Sequence, residues 1–147
     1  MMQFMLAAHL LGVVLWVGGM AFAITILRPS LMVLEPPQRI AVHAQVFARF
    51  FRTVWHAMPI VLLSGYGMLG LAGGFAGVGW PVHVMHTTGL IMSAIFAWIF
   101  FFPWRTMRTH VTAGDIPAAA TAANRIRIAV SVNLLLGLIT VVVAAVG

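Results

Sequence analysis

The chain has no cysteine, no lysine and only two carboxylates, Glu35 and Asp115, in 147 residues. Without cysteine there is no disulfide, no iron–sulfur cluster and no thiolate ligand for a metal. Neither carboxylate falls within an apolar stretch, which excludes a hydrolytic triad and a proton relay through membrane carboxylates. Ser64, Tyr66 and Ser93 have no acid–base setting around them. Charged residues make up 7% of the chain, against roughly 25% in a soluble domain, and mean hydropathy is +1.08. An ordinary soluble fold is excluded as well.

What the chain has instead is long apolar runs separated by arginine. Four spans are expected, at about Gln3–Leu27, Thr53–Leu71, Pro81–Pro103 and Ile126–Val146, each long enough for a hydrocarbon core of about 30 Å at 1.5 Å per residue. These use most of the chain, leaving a single integral membrane domain over residues 1–147. Ala21-Phe22-Ala23 resembles a small-residue cleavage site. The stretch before it lacks a positive start and its apolar run exceeds the usual roughly 7–15 residues, so Met1–Leu27 is read as a retained first span.

Arg28, Arg39, Arg49 and Arg52 fall in the first connection, and Arg105, Arg108, Arg125 and Arg127 in the third. The second connection and both termini carry none. The asymmetry predicts an all-α, four-helix transmembrane bundle in a bacterial inner membrane, with both connections in the cytoplasm and both termini outside. It also accounts for a sequence pI near 12.0 without nucleic acid as a partner; the partner expected is the lipid bilayer. Pro36-Pro37 opens a helix expected to run unbroken through Arg52 into the second span, since proline suits a first turn. Asp115 is the expected N-cap, with Pro117 in the first turn, of an Ala-rich helix feeding the fourth span. Gly73–Gly79 is the turn between spans two and three. Trp80 and Trp104 stand where interfacial aromatic belts are expected.

Histidines inside such spans are functional-site candidates, because an imidazole is expensive in hydrocarbon. His9 lies roughly 9 Å from the outer end of span one and His86 roughly 6 Å from the outer end of span three, counted at helical rise. His83 stands one turn above His86 on the same face. His9 and His86 can therefore face one another at similar depth, ligating one haem iron or jointly holding copper. His56 lies near the arginine boundary and could serve a second centre with His43 or His110, or turn to the interface. The ten methionines mostly fill apolar gaps, but His83-Val84-Met85-His86 beside Met1, Met2 and Met5 offers Cu(I) ligands. A copper relay would then use His9, His83, Met85 and His86. Arg125 and Arg127 could meet an acidic lipid headgroup or a haem propionate, and Asn133 is the strongly polar side chain of span four. Glycines such as Gly12, Gly18, Gly19, Gly65 and Gly67 allow close helix approach.

At His9-Leu10-Leu11-Gly12-Val13-Val14-Leu15-Trp16-Val17-Gly18-Gly19, running on to Arg28-Pro29, the chain resembles the CopD family of bacterial copper-resistance membrane proteins. The same pattern of a helix-one His, a later Trp and then Gly is similar to HemJ-type protoporphyrinogen oxidases, small four-span proteins with haem b. Asn124-Arg125-Ile126-Arg127-Ile128 and Asn133 add to the likeness in span four. The resemblance implies a haem-binding role for His9, with Trp16, Gly19, Arg125, Arg127 and Asn133 around the cofactor. The oxidases carry a third-helix Lys where this chain offers His86. Their fourth helix has an acidic residue and proline where this one reads Ala129-Val130-Ser131-Val132-Asn133. Those departures point from porphyrinogen oxidation to bis-His ligation. Three functions follow as expectations: one-electron transfer through a haem b held by His9 and His86, with a redox partner or quinone; copper transport; or a cofactor-free accessory subunit. A homo-oligomer is expected in each case.

Overall fold

The computed structural model describes all 147 residues and is helical from end to end. Helix α1 (Met2–Phe22) continues through a wide π-type turn at Ala23–Leu27 into the short α2 (Arg28–Ser30). Pro29 explains the wide turn: it has no N–H to donate and its ring crowds the preceding carbonyls, so the helix opens rather than stops. Helix α3 (Pro36–Leu71) runs unbroken as expected, then α4 (Trp80–Phe101), α5 (Pro103–Thr112) and α6 (Ile116–Val146) follow. Four stretches, Met2–Val33, Pro36–Leu71, Trp80–Thr112 and Ile116–Val146, are long and apolar enough to cross a membrane.

The ends of these helices follow local chemistry. Asp115 accepts a hydrogen bond from the Ala118 N–H at 3.1 Å, capping α6 as its sequence predicted. Asp115→Ala removes that acceptor at a cost of about 1 kcal/mol. Amide exchange at Ala118 is expected to quicken several-fold while exchange mid-way along α6 stays unchanged. Gly73, Gly74 and Gly114 hold φ of +87°, +81° and +72°, values that a side chain resists.

Helix α1 packs chiefly on α3, while α6 covers α4 and α5. Only 24 of the 147 residues are buried, so most of the apolar surface, including Phe4, Leu11, Val14, Leu63 and Leu135, faces outward and needs lipid to cover it. Lipid tails remove the hydrophobic drive between helices, which leaves close packing to hold them together. Two devices supply it. Toward the arginine end, Phe51 meets the Trp104 ring edge-on at 5.4 Å and Phe96 at 5.9 Å, while Trp55 meets Phe96 at 5.3 Å. Each such pair adds about 0.5–1.5 kcal/mol. Trp104 thus corrects the sequence expectation: it is 5% exposed and belongs to the core, whereas Trp80 is exposed as a belt residue would be.

The second device is glycine on α1. A β-carbon on Gly12 would stand 2.6 Å from Val61 Cγ2 and 3.2 Å from the Ala57 carbonyl oxygen, and one on Gly19 would run into the Phe50 ring. Gly18 faces open space. The inward stripe of α1 is therefore Met5, His9, Gly12, Trp16 and Met20, spaced three or four residues apart. That spacing carries His9 to the surface of α3.

Candidate functional site

His9 Nδ1 lies 2.9 Å from the Val61 carbonyl oxygen and 3.2 Å from Ser64 Oγ. A carbonyl can only accept, so the proton sits on Nδ1 and is shared with the serine oxygen. Ser64 in turn donates to the Ile60 carbonyl, leaving its own oxygen free to accept. The imidazole is thereby fixed as one tautomer in one orientation, and its Nε2 keeps a lone pair for another partner. This is the arrangement that histidine metal ligands commonly have, with the non-ligating nitrogen donating to a backbone carbonyl.

Space for the ring comes from Gly65, where a β-carbon would stand 3.3 Å from His9 Cε1. One turn toward the chain terminus on α1, Met5 shares the face of His9. Its sulfur lies 2.9 Å from where a β-carbon on Gly67 would be. Met68 follows Ser64 by four residues and so occupies the same face of α3. The seam of α1 and α3 thus gathers an imidazole nitrogen and, by register, two thioethers.

His86 is held elsewhere. Its Nε2 is hydrogen-bonded to the Tyr66 hydroxyl at 3.0 Å, and Phe75 lies edge-on to it with ring centroids 4.9 Å apart. Phe75 also stacks on His83 at 5.4 Å, which is exposed. Ser64 and Tyr66 point about 160° apart around α3 at 100° per residue. His9 and His86 therefore engage nearly opposite faces of that helix, and the structure does not bring them together as a facing pair. Met85, next to His86 on α4, is half-buried.

The other candidates have structural partners. His56 is exposed and donates through Nδ1 to the Arg52 carbonyl at 2.7 Å; His43 does the same to Arg39 at 3.0 Å; and His110 sits 3.7 Å from Asp115. These three are not assembled into a second centre. Trp16 is buried against Phe96 at 6.5 Å, and Gly19 makes room for Phe50. Asn133, 1% exposed, donates across the bundle to the Met92 carbonyl at 3.2 Å. Arg127 donates to Asn124 through Nε and Nη2 at 3.0 and 2.6 Å, while Arg125 is exposed on another side.

No three His, Asp or Glu side chains converge anywhere in the chain. The sequence reading did not assign Ser64, Tyr66 or Phe75 to a site, and took Gly65 only as a point of close helix approach. The signal that could have found the seam is the four-residue spacing of Met5 and His9, whereas the sequence reading grouped Met5 with His83, Met85 and His86.

Comparison with known proteins adds one finding. The family model described as CopD, copper resistance protein D, matches residues 44–147, from within α3 to the end of α6 and more than half of the chain. No curated protein and no solved structure matches.

Proposed function

The chain belongs to the copper resistance protein D family, and on that footing we propose that it handles copper as cargo in the membrane, holding Cu(I) at the seam of α1 and α3. His9 Nε2 supplies the nitrogen ligand, with Met5 and Met68 as thioether ligands. With the arginine end in the cytoplasm, the site opens toward the outer face of an inner membrane. The observation that carries this reading is the fixed tautomer of His9, whose Nδ1–H donates to Val61. Cu(I) needs a neutral nitrogen donor and soft sulfur, and tolerates low coordination numbers. Nothing in the seam has to lose a proton for the ion to bind, and no buried carboxylate competes for it.

Electron transfer through a haem b on His9 and His86 asks for both imidazoles on one iron axis. His9 could ligate iron through its free Nε2 without leaving Val61, but His86 Nε2 is engaged by Tyr66 on a nearly opposite face of α3 and would have to leave it to share that iron. Copper requires no such rearrangement, which is why it is the preferred reading.

Metal analysis and a visible spectrum of the detergent-purified protein test the choice. Stoichiometric copper without a Soret band is the expected result. A Soret band with reduced-minus-oxidised bands would replace copper by haem. Neither signal, after incubation with Cu(I), would leave a cofactor-free accessory subunit.

A further inference from the structure

At the opposite end of the bundle from His9, the wide turn after α1 with α2, the start of α3 and the first half of α6 line a cavity of about 180 Å³. Arg28, Arg39 and Arg127 line it, one from each segment, together with His43. Phe47 and Phe50 belong to its largely apolar wall. We propose that this cavity binds the phosphate of an anionic phospholipid, with the lipid's apolar part running along the aromatic wall.

Charge complementarity is the first argument. Three guanidinium groups share a small cavity without a carboxylate in its wall, and the one ion pair in the chain is His110–Asp115, elsewhere. The second is the state of the arginines. Arg39 donates through Nη2 to the Leu34 carbonyl at 2.8 Å, but its Nε is buried with no hydrogen-bond partner. A buried unpartnered donor on a charged group is costly, and the guanidinium keeps Nη1 without a protein partner for a phosphate oxygen. Arg127 is held in place by Asn124 through Nε and Nη2, which leaves Nη1 available. Topology signalling explains arginines at this end of the bundle, but it does not require three of them to line one cavity. Arg105 and Arg108 show the contrast, lying over the Phe101 and Trp104 rings at 5.3 and 5.9 Å.

The third argument is the wall. A free phosphate ion has no use for Phe47 and Phe50, whereas an acyl or glycerol group does. The outer surface of α1 beside the cavity, at Phe22 and Ile26, is exposed and apolar, so a lipid held by its headgroup here stays in the bilayer plane. Basic pockets between membrane helices are known to take such headgroups.

Native mass spectrometry of the full chain released from nanodiscs tests this directly. The discs contain phosphatidylcholine with a minor fraction of phosphatidylglycerol. Wild-type protein is expected to keep phosphatidylglycerol selectively, and Arg39→Gln and Arg127→Gln each to lose about tenfold of that selectivity. Arg125→Gln, outside the cavity, is expected to behave as wild type. Inorganic phosphate is expected neither to displace the lipid nor to raise the melting temperature. Equal retention of the two lipids, or a loss in Arg125→Gln as large as in Arg39→Gln, would overturn the proposal. Competition by inorganic phosphate would overturn it in favour of a free-anion site. Should Arg39→Gln fail to fold, Arg127→Gln carries the same comparison.

Discussion

Gly12→Leu is expected to break the bundle at the α1–α3 seam, while Gly18→Leu leaves it intact. The two positions lie on one helix in the same apolar surroundings, and what separates them is azimuth. A β-carbon at Gly12 meets Val61 Cγ2 at 2.6 Å and the Ala57 backbone oxygen at 3.2 Å; one at Gly18 meets nothing within 4 Å. Val61 has little freedom to yield, since a β-branched side chain in a helix has one strongly preferred rotamer, and the Ala57 carbonyl is fixed in its own helix. Overpacking of this kind costs about 1–3 kcal/mol for a small insertion and more for a whole leucine. The gain in helix propensity over glycine, about 1 kcal/mol at most, does not offset it. Because α1 owes its place mainly to α3, the loss also separates His9 from Ser64 and Val61. Thermal unfolding in detergent followed by circular dichroism checks the pair. Gly12→Leu is expected to lower the melting temperature sharply or abolish the monodisperse species, and Gly18→Leu to match the wild type.

His9→Ala is expected to lower Cu(I) affinity by at least about 100-fold, measured by competition with a chromogenic Cu(I) chelator. Loss of an outer-shell partner costs roughly 10–100-fold in metal affinity, and a direct ligand must exceed that. Ser64→Ala provides the internal scale. It removes one of two acceptors for the His9 Nδ1–H and leaves Val61, so it should fall at the low end, about tenfold. His86→Ala and His83→Ala are expected to leave the affinity unchanged, since their partners are Tyr66 and Phe75. An equal loss in His9→Ala and His86→Ala would restore the facing pair that sequence depth suggested.

That contrast shows what a sequence of this kind discloses. Spans, the unbroken run from Pro36 to Leu71 and the Asp115 cap were all legible, because hydropathy, proline and capping chemistry act within a few residues of themselves. Azimuth was not. Whether His9 turns to His86 or to Ser64 depends on α1 packing against α3, and that is decided by the fit of Gly12 and Gly19 against Ala57, Val61 and Phe50. Trp104 was misread for the same reason: its position along the chain fits an interfacial belt, but its face of α5 is turned into the Phe47–Phe51 cluster. Met5 was singled out as a copper ligand, but beside His83, Met85 and His86 rather than with His9; Met68 was not distinguished from the methionines that only fill space.

The central claim is that copper is bound in the seam of α1 and α3 by one imidazole and thioether sulfur. X-ray absorption at the copper edge of the Cu(I)-loaded protein tests it most directly. A mixed shell of sulfur and a single imidazole nitrogen, with the sulfur contribution lost in Met5→Leu/Met68→Leu, is the predicted result. A shell of nitrogen alone, unchanged in that double variant, would contradict it.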